Sequence, residues 1–447
     1  MRKIQAPPFI SERWDFAELL AELDAKGKYL IATDINDSSY PYWEKWKYLA
    51  EDWGLDPKRV WIAMKTSRSI SQRTVNFDSG DRFKLLVNTP SIMQLQLHEL
   101  DLSLGGNLNA SDIIPSEEKQ RYLISSLMEE AIASSQLEGA ATTRKVAKQM
   151  LESNRKPRNS SEQMIVNNYA AMQWIVQNKK TQLTEASILQ IHRIITNDTL
   201  PNKEEEGAFR TTDDVRIVDV QTGEVLHTPP QQQDLEQLIK AFCSFINDRE
   251  KENFFLHPIS KAITIHFLIG YIHPFADGNG RTARALFYWY LIRKGYWLIE
   301  YMSVSRIILG AKAQYARAYQ HTEKDENDLT YFILYNLRCM QHSLEELKKY
   351  IARKNREKKD ILNLLRNTDY NDRQIVLIQE IINDKKSVFT VTEVQHKFGV
   401  ANQTARTDLE YLVSKGILEA RKSGRKVQFL LTVGGEKKII GVSLPKY

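Results

Sequence analysis

The sequence predicts a mainly α-helical protein. Apolar residues recur at helical spacing through most of the chain, as in residues 142–153, 161–178 and 184–197. Two shorter stretches, around Thr222-Gly223 and Ser423-Gly424, instead alternate apolar and polar residues about a turn, which predicts β-hairpins. We therefore expect a helical core with one hairpin, an α-rich N-terminal module, and a small C-terminal unit of three helices and a hairpin.

The composition is that of an ordinary globular protein. Of 447 residues, 42% are hydrophobic and 26% charged, which suits two to four domains. A net charge of +6 is too mild at this length to argue by itself for nucleic acid. Without a run of 18 apolar residues or the apolar core of a signal peptide, we expect a cytoplasmic protein with no membrane partner. Cys243 and Cys339 lie in helical apolar patterns and are expected to be buried thiols.

Residues 1–110 are predicted to form a Trp-rich N-terminal module. The stretch YPYWEKWKYLAEDW, residues 40–53, suits either a platform for carbohydrate or peptide, or a small packed core. Aromatic residues at helical spacing more often pack, so we favour packing. Five of the eight tryptophans of the chain lie in this module: Trp14, Trp43, Trp46, Trp53 and Trp61.

A helix is predicted from Ser116 to Gly139. Ser116 is a suitable N-cap, Glu117 and Glu118 follow in the first turn, and Gly139 is typical of a helix end. Glu138, just before that glycine, has a plain interpretation as a surface residue of the last turn.

The helical period disappears between Gly207 and Pro230, where VRIVDVQTGEVLHTPP predicts a hairpin. Helices are expected again at residues 231–249, 303–321 and 327–352. The segment between the first two of these helices carries the chemistry.

That segment, residues 273–284 (HPFADGNGRTAR), connects two apolar helical stretches, residues 259–272 and 282–293. Gly278 and Gly280 allow left-handed backbone angles and a close approach to a ligand. The second helix begins just after them, and its unpaired amides attract anions. The connection therefore predicts an anion site.

The charged residues of the segment predict a phosphate site beside a base. Arg281 and Arg284 are three residues apart and share a helix face, so they can hold two phosphate oxygens. Asp277 would repel phosphate unless a divalent cation lay between them, which indicates Mg²⁺. His273 can accept a proton from an incoming hydroxyl near neutral pH. Each residue alone has an ordinary structural interpretation, but together they predict transfer from a nucleotide to a hydroxyl group.

The same segment resembles the signature of the Fic family, H-x-F-x-[DE]-G-N-G-R-x-x-R, at every fixed position. The resemblance covers about residues 113–345 and implies a helical core that transfers AMP from ATP to a Ser, Thr or Tyr hydroxyl of a protein target. It implies that His273 is the base, Phe275 a buried anchor and Asp277 the Mg²⁺ ligand. The nucleotide phosphates would be bound by Gly278, Asn279, Gly280, Arg281 and Arg284, of which Arg284 takes the gamma phosphate.

Two further features match this family. Ser134, Glu138 and Gly139 fit its inhibitory pattern [ST]-x-x-x-E-[GN], which implies that Glu138 and Arg284 form a bidentate pair that displaces the gamma phosphate. The hairpin fits the family's flap, which pairs with the target backbone by strand addition. The residues expected to bind the target are Gly207, Arg210, Val215 and Ile217. Proteins that resemble this chain are usually homodimers, so we also expect a homodimer.

The C-terminal part is predicted to be separate from the core. Residues 346–369 are charged all round, as expected of a solvent-exposed helical linker. Residues 370–435 fit three helices, the third capped by Asn402, and a basic hairpin, an arrangement that resembles a winged helix-turn-helix. Basic residues at the hairpin tip suit phosphate contacts.

The expected recognition helix begins with Thr404, Arg406 and Thr407. It also carries Asp408 and Glu410, which DNA would repel if they faced it. Because winged helices also serve as protein-interaction modules, DNA and protein both stay open as partners of residues 370–435.

The sequence favours a protein adenylyltransferase that uses ATP and Mg²⁺ and is inhibited by its own Glu138. Two other functions stay open. One is a DNA-binding regulator that uses the nucleotide pocket as a sensor. The other is a hydrolase that removes AMP from its targets, with Glu138 positioning a water molecule.

Overall fold

The structure, a computed structural model, confirms the mainly helical fold with a C-terminal helix-turn-helix. It describes residues 4–8, 15–75, 77, 84–105, 119–218, 222–249, 254–366, 369–383, 387–423, 426–435 and 438. The chain forms two compact units, Met1–Ile113 with Lys119–Leu347, and Ile114–Glu118 with Lys348–Tyr447. Within the described ranges, no helix is long and apolar enough to cross a bilayer. The finer division into domains at 1–110, 113–345, 346–369 and 370–435 stays a prediction.

The N-terminal module packs its tryptophans into a small core. Trp46 and Trp61 are fully buried and Trp43 is nearly so, and the rings of Trp43 and Trp61 meet edge to face at 6.0 Å. The packing interpretation is confirmed for these residues, whereas Trp14 lies outside the described residues. The elements of the module are α1 (Phe16–Ala25), α2 (Tyr29–Ser38), α3 (Trp43–Asp52), α4 (Pro57–Ser71), β1 (Arg73–Val75), β2 (Leu85–Val87) and α5 (Ser91–Leu104).

A buried polar network joins this module to the segment before the last core helix. Lys65 Nζ donates to Asp325 Oδ1 at 2.7 Å, and the two side chains are only 7% and 3% exposed. Tyr40 Oη donates to Asp328 Oδ2 at 2.6 Å. Because a buried charge is costly unless it is paired, the module and the core depend on each other here.

Asp325→Ala is expected to destabilise the first unit by about 3 kcal/mol. The buried Lys65 ammonium would keep only the exposed Glu326, 3.5 Å away. Thermal unfolding followed by circular dichroism measures the shift. Lys203→Ala is the matched control, since its ion pair with Asp198 is exposed on both sides and should contribute less than about 1 kcal/mol. Equal shifts in the two variants would show that the network carries no special stability.

The core of the first unit surrounds two consecutive helices, α11 (Pro258–Ile272) and α12 (Asn279–Arg293), which are buried on nearly all sides. Their continuous apolar sequences predict this position. The other core elements are α6 (Lys119–Leu137), α7 (Arg144–Glu152), α8 (Ser160–Gln177), α9 (Glu185–Thr196), the antiparallel strands β3 (Ile217–Val218) and β4 (Val225–His227), α10 (Leu235–Ile246), α13 (Val304–Gly310), α14 (Lys312–Lys324) and α15 (Thr330–Arg366).

The structure refines two predicted boundaries. α6 ends at Leu137, so that Glu138 lies in the turn behind it, and the predicted cap Ser116 lies outside the described residues. The helix predicted at residues 327–352 continues to Arg366 as α15, because the charged residues that follow are good helix formers.

The second unit contains the predicted three helices and hairpin. They are α16 (Asp372–Asn383), β5 (Val388–Phe389), α17 (Val391–Phe398), α18 (Asn402–Ser414), β6 (Leu418–Ser423) and β7 (Lys426–Leu431). The strands form an antiparallel sheet in the order β5-β7-β6, and the helices and sheet enclose an apolar core. The predicted Asn402 cap is wrong, since Ala401 is the N-cap, without a side-chain bond, and Asn402 is the first helical residue.

Candidate active site

The predicted anion site is the short loop between α11 and α12, and a side chain at its end bonds to its backbone. α11 ends at Ile272, and its C-cap His273 turns the chain with a φ of +49°; α12 begins after Gly278, whose φ is +84°. Asn279 Oδ1 accepts from Phe275 N at 3.0 Å and Asn279 Nδ2 donates to Phe275 O at 2.8 Å. The Asn279 side chain therefore braces the loop, and Phe275 is fully buried as an anchor.

Gly278 has no room for a side chain. A Cβ at this position would lie 3.0 Å from Thr196 Cγ2 and 3.1 Å from His192 Nε2. Both its backbone angle and its neighbours therefore require glycine. This close packing holds the loop against α9. It thereby also fixes the position of the first backbone amides of α12, which follow Gly278 directly.

The hydrogen bonds of His273 define its tautomer. Nδ1 lies 3.1 Å from Gly270 O, and since a carbonyl can only accept, Nδ1 carries the proton. Nε2 has no partner within the described part of the chain and keeps its lone pair. Burial lowers the pKa of His273 below its usual value. The imidazole is therefore neutral near pH 7 and can accept a proton at Nε2.

Arg284 is held by the end of α6. Its Nε donates to Ser134 Oγ at 2.8 Å, and one terminal nitrogen donates to Ser134 O at 3.0 Å and to Glu138 Oε1 at 2.8 Å. The guanidinium is 4% exposed and Glu138 is 31% exposed. The expected bidentate Glu138–Arg284 pair is wrong, because Ser134 takes the other donor. Gly139, with φ +95°, turns the chain directly after this contact.

Glu130 lies in α6, about two turns before Glu138, and fixes α6 to α12, the helix that carries Arg284. Its carboxylate accepts from Tyr288 Oη at 2.9 Å, from Ser303 Oγ at 3.0 Å and from Ser305 N at 3.1 Å. Burial raises the pKa of Glu130, although these donors oppose the shift. Sequence reasoning missed this residue, because a lone glutamate in a helix looks like a surface residue.

Arg281 and Asp277 differ in exposure, although their side chains lie close together. The Arg281 side chain is completely buried, and one of its nitrogens donates to Ile195 O at 3.1 Å. Asp277 is 59% exposed, lies 3.5 Å from Arg281, and accepts from Gly278 N at 2.5 Å. The Arg281 guanidinium therefore supports the loop from below, while its backbone amide belongs to the helix N-terminus. The Asp277 carboxylate is accessible.

His192 connects this loop to the flap, a role that the sequence pattern does not indicate. Its Nδ1 accepts from Gly207 N at 3.1 Å, so Nε2 carries the proton and donates to Asp277 O at 2.8 Å. Its ring stacks on Phe275 at 3.7 Å. Burial lowers the pKa of His192 to about 4, so it stays neutral. Its position 15 residues before Gly207 gave no sign of this role.

The flap residues divide into two groups. Arg210 is 5% exposed and donates through Nε to His273 O at 3.0 Å, while its amide donates to Pro274 O at 2.9 Å. It therefore fixes the flap to the loop. Val215 and Ile217 are half-buried on the hairpin itself, whose two strands pair only with each other among the described residues.

His227 ties the end of the flap to two helices. Its Nδ1 lies 2.8 Å from Glu323 Oε2 and its Nε2 lies 2.8 Å from Tyr271 O. Burial alone would lower the pKa of His227, but the hydrogen bond and charge of Glu323 outweigh it, so that the pKa is raised. With an acceptor at each nitrogen, the imidazolium form is favoured.

The attachment of the flap should therefore weaken with rising pH. Because the folded pKa of His227 is raised, its contribution is complete below the unfolded value near 6.5 and is lost as the pH rises through the folded pKa. Hydrogen exchange at residues 225–227, corrected for intrinsic rates, should show protection that falls over this range. Glu323→Gln should abolish the pH dependence, and an unchanged profile in that variant would exclude this origin.

Two tyrosines of α14 pack against α11. Tyr315 Oη lies 2.9 Å from His266 Nε2, and the Tyr319 ring stacks on Phe267 at 5.2 Å. Both rings are engaged in packing here.

Two parts of the chain match known families. Residues 182–291 match the Fic/DOC family, and residues 373–427 match the DeoR-like helix-turn-helix domain. The chain is 30% identical to protein adenylyltransferase Fic of Nematostella vectensis over 167 residues, 37% of this chain and 34% of that protein. It is 38% identical to the protein of the same name from Aedes aegypti over 130 residues, 28% of this chain and 24% of that protein. The match thus spans about a third or less of the length of these relatives.

Solved structures share the fold. Fic-1 from C. elegans has a TM-score of 0.51 at 19% identity, covering 78% of this chain and 90% of that chain. A Fic family protein from Desulfovibrio desulfuricans G20 has a TM-score of 0.50 at 17% identity, covering 76% and 94%. The chain therefore contains a Fic/DOC family domain, matched at residues 182–291, and a C-terminal DeoR-like helix-turn-helix domain, matched at residues 373–427.

Proposed function

We propose that the chain transfers AMP from ATP to a hydroxyl group of a protein target. The observation that carries this proposal is a neutral His273, with its Nε2 unpaired among the described residues, at the loop that opens α12 and leads to Arg284. The curated relatives named protein adenylyltransferase support it over the part of their length that this chain matches.

The residues of the loop would perform different parts of the transfer. The amides of Gly280 and Arg281 and the Arg284 guanidinium would bind phosphate oxygens and stabilise the charge that develops on them. His273 Nε2 would take the proton of the target hydroxyl while the hydroxyl oxygen attacks the alpha phosphorus. The bond from that phosphorus to the oxygen of the beta phosphate would break, and pyrophosphate would leave with the electron pair.

The Asp277 carboxylate suits its expected role as a ligand of Mg²⁺. Its carboxylate is 59% exposed at the edge of the loop. One carboxylate, with waters and substrate phosphates, is a donor set that Mg²⁺ commonly takes. A bound ion would neutralise phosphate charge.

Glu138 would inhibit the transfer. Its carboxylate occupies the Arg284 nitrogen that would otherwise bind the gamma phosphate. A Cβ added to Gly280 would collide with the same carboxylate, so Glu138 lies where the phosphates are expected. ATP would then bind in a nonproductive position, and displacement of Glu138 would release the site.

The flap would hold the target. The two strands of the hairpin pair only with each other among the described residues, so an extended target segment can add as a third strand. Strand addition sets the register of the target hydroxyl without reading much sequence. Val215 and Ile217 lie on this hairpin. Gly207 and Arg210 would position it through His192 and the loop.

The position of the label tests the reaction. Glu138→Gly protein would be incubated with a cell lysate, Mg²⁺ and ATP labelled at either the alpha or the gamma phosphate. AMP transfer places only the alpha label in protein. Incorporation of the gamma label alone would indicate a kinase reaction. Release of alpha label from pre-labelled target by the parent protein, lost in Glu138→Gly, would indicate AMP removal.

We also propose that residues 370–435 bind DNA. The helix-turn-helix match is one support, and the face of α18 is another. Asp408 is buried and bonded to Asn371 and Arg373 at 2.7 Å, so this carboxylate would not face DNA. Gln403, Arg406 and Thr407 are exposed, and so is Glu410, the other acidic residue of this helix.

Salt-dependent binding of the full chain to its own promoter region tests this second function. The Arg406→Ala variant should bind less tightly, and Arg216→Ala, an exposed arginine outside the C-terminal unit, should bind as the parent does. Equal binding by both variants would favour a protein partner for α18. A cytoplasmic location and a homodimer are further proposals, which cell fractionation and light scattering test.

A further inference from the structure

The first part of α6 is fixed by hydrogen bonds to the segment that follows α12. Glu130 is 1% exposed, and its carboxylate accepts from Ser303 Oγ at 3.0 Å and from both the amide and the hydroxyl of Ser305. One turn earlier, Ser126 Oγ donates to Tyr301 O at 2.9 Å. This part of the helix therefore cannot move without breaking a buried hydrogen-bond network.

The last turn of α6 has a different kind of contact with the same region. Lys312, the first residue of α14, donates through Nζ to Gln136 O at 3.1 Å and to Leu137 O at 3.5 Å. The last carbonyls of a helix have no partner within the helix and form its negative end, so a cation there is stabilising. Lys312 is exposed. The end of α6 is therefore held by a contact that can open without unpacking the core.

Glu138 directly follows this turn. The next amide, that of Gly139, donates to Gln136 O at 3.3 Å, and the same carbonyl accepts from Lys312. Because only one residue separates Gln136 from Glu138, a shift of this carbonyl also moves the Glu138 backbone. It thereby moves the carboxylate that contacts Arg284.

We propose that Lys312 is a positioning residue for inhibition, which keeps the end of α6, and Glu138 with it, against Arg284. This inference rests on the proposed inhibition of AMP transfer by Glu138. Ser135 Oγ also holds this turn, since it donates to Met164 O at 3.2 Å, so loss of the Lys312 ammonium would loosen the turn without detaching the helix. The fraction of molecules in which Glu138 leaves Arg284 would then rise, and AMP transfer would rise with it.

Lys312→Met tests this role, because it removes the ammonium and keeps most of the length of the side chain. In the chain that has Glu138, transfer of alpha-labelled AMP should rise about two- to fivefold, the size expected of one exposed cation at a helix end. In Glu138→Gly protein the same change should have no effect, since the carboxylate that Lys312 positions is absent. An unchanged rate in the chain that has Glu138 would overturn the proposal. A rate lowered in both proteins would also overturn it, because Lys312 would then serve the transfer itself.

Two variants are the controls. Lys312→Arg keeps a cation with several donors, so inhibition should stay as in the parent. Lys324→Met is matched in kind, since Lys324 is exposed on the same helix and donates to Ile4 O at 3.3 Å, about 18 Å further along the helix axis. Its rate should equal that of the parent. Equal activation by Lys324→Met and Lys312→Met would indicate a general loosening of α14 and overturn the proposal.

Hydrogen exchange tests the contact without a transfer assay. The amides of residues 138–140 donate to carbonyls of the last turn of α6. Their protection should fall about two- to fivefold in Lys312→Met and be kept in Lys312→Arg, while amides around Glu130 should not change. Unchanged exchange at residues 138–140 in Lys312→Met would overturn the role of Lys312. Absence of transfer by Glu138→Gly protein would instead contradict the proposed function, so the two failures are distinguishable.

Discussion

His273→Ala, introduced into Glu138→Gly protein, is expected to lower AMP transfer by about 10²–10⁴-fold. The change removes the neutral imidazole nitrogen that would take the proton of the target hydroxyl. ATP binding should persist, because the phosphate contacts come from α12 and Arg284. Initial rates at saturating ATP measure the first quantity, and calorimetry with ATP measures the second.

The pH profile distinguishes a base from a merely structural histidine. Burial lowers the pKa of His273, so the neutral form predominates above a pH that lies below its usual value near 6.5. The rate of Glu138→Gly protein should therefore rise with pH and level off before neutrality. His98→Ala, an exposed histidine of α5, is the control and should keep full activity. If His273→Ala weakened ATP binding but left the rate at saturating ATP unchanged, the role of His273 as base would be contradicted.

Glu138→Gly is expected to raise AMP transfer by up to about 100-fold. A tenfold change in population corresponds to about 1.4 kcal/mol, so a closed state held at 99 to 1 needs roughly 2.7 kcal/mol. One partly buried ion pair and the packing of α6 can supply this. Because Glu138 lies in the turn after α6, glycine there does not interrupt the helix.

Glu138→Gln is the matched variant for charge. It keeps the shape of the side chain but loses the carboxylate that accepts from Arg284, so we expect partial activation. Glu129→Gln, on the same helix but paired with Arg144, should leave the rate unchanged. Equal turnover in the parent and Glu138→Gly would exclude inhibition by Glu138.

Local chemistry could be predicted from the sequence where it lies in one stretch. His273, Asp277, Gly278 and Arg284 are close in the chain, and their spacing between two apolar helices predicts a loop that opens a helix. The structure has that loop, with glycine at a left-handed angle. The pairing of Glu138 with Arg284 across 146 residues came from the family resemblance, since helical periodicity carries no such information.

Partners brought together by tertiary packing could not be predicted. His192 bonds to the loop 85 residues later, and Glu130 bonds to Ser305 across 175 residues. Each is one polar residue in an amphipathic helix, where the sequence pattern favours a surface position. Asn402 shows a smaller limit, because a helix start predicted from a capping residue can be wrong by one position.

The most direct test of the account is AMP incorporation by three proteins: the parent, Glu138→Gly, and Glu138→Gly/His273→Ala. Each would be incubated with Mg²⁺, lysate and ATP labelled at the alpha phosphate, and protein-bound label would be counted. The account predicts strong incorporation by Glu138→Gly and little by the other two. Equal incorporation by all three, or none by Glu138→Gly, would contradict it.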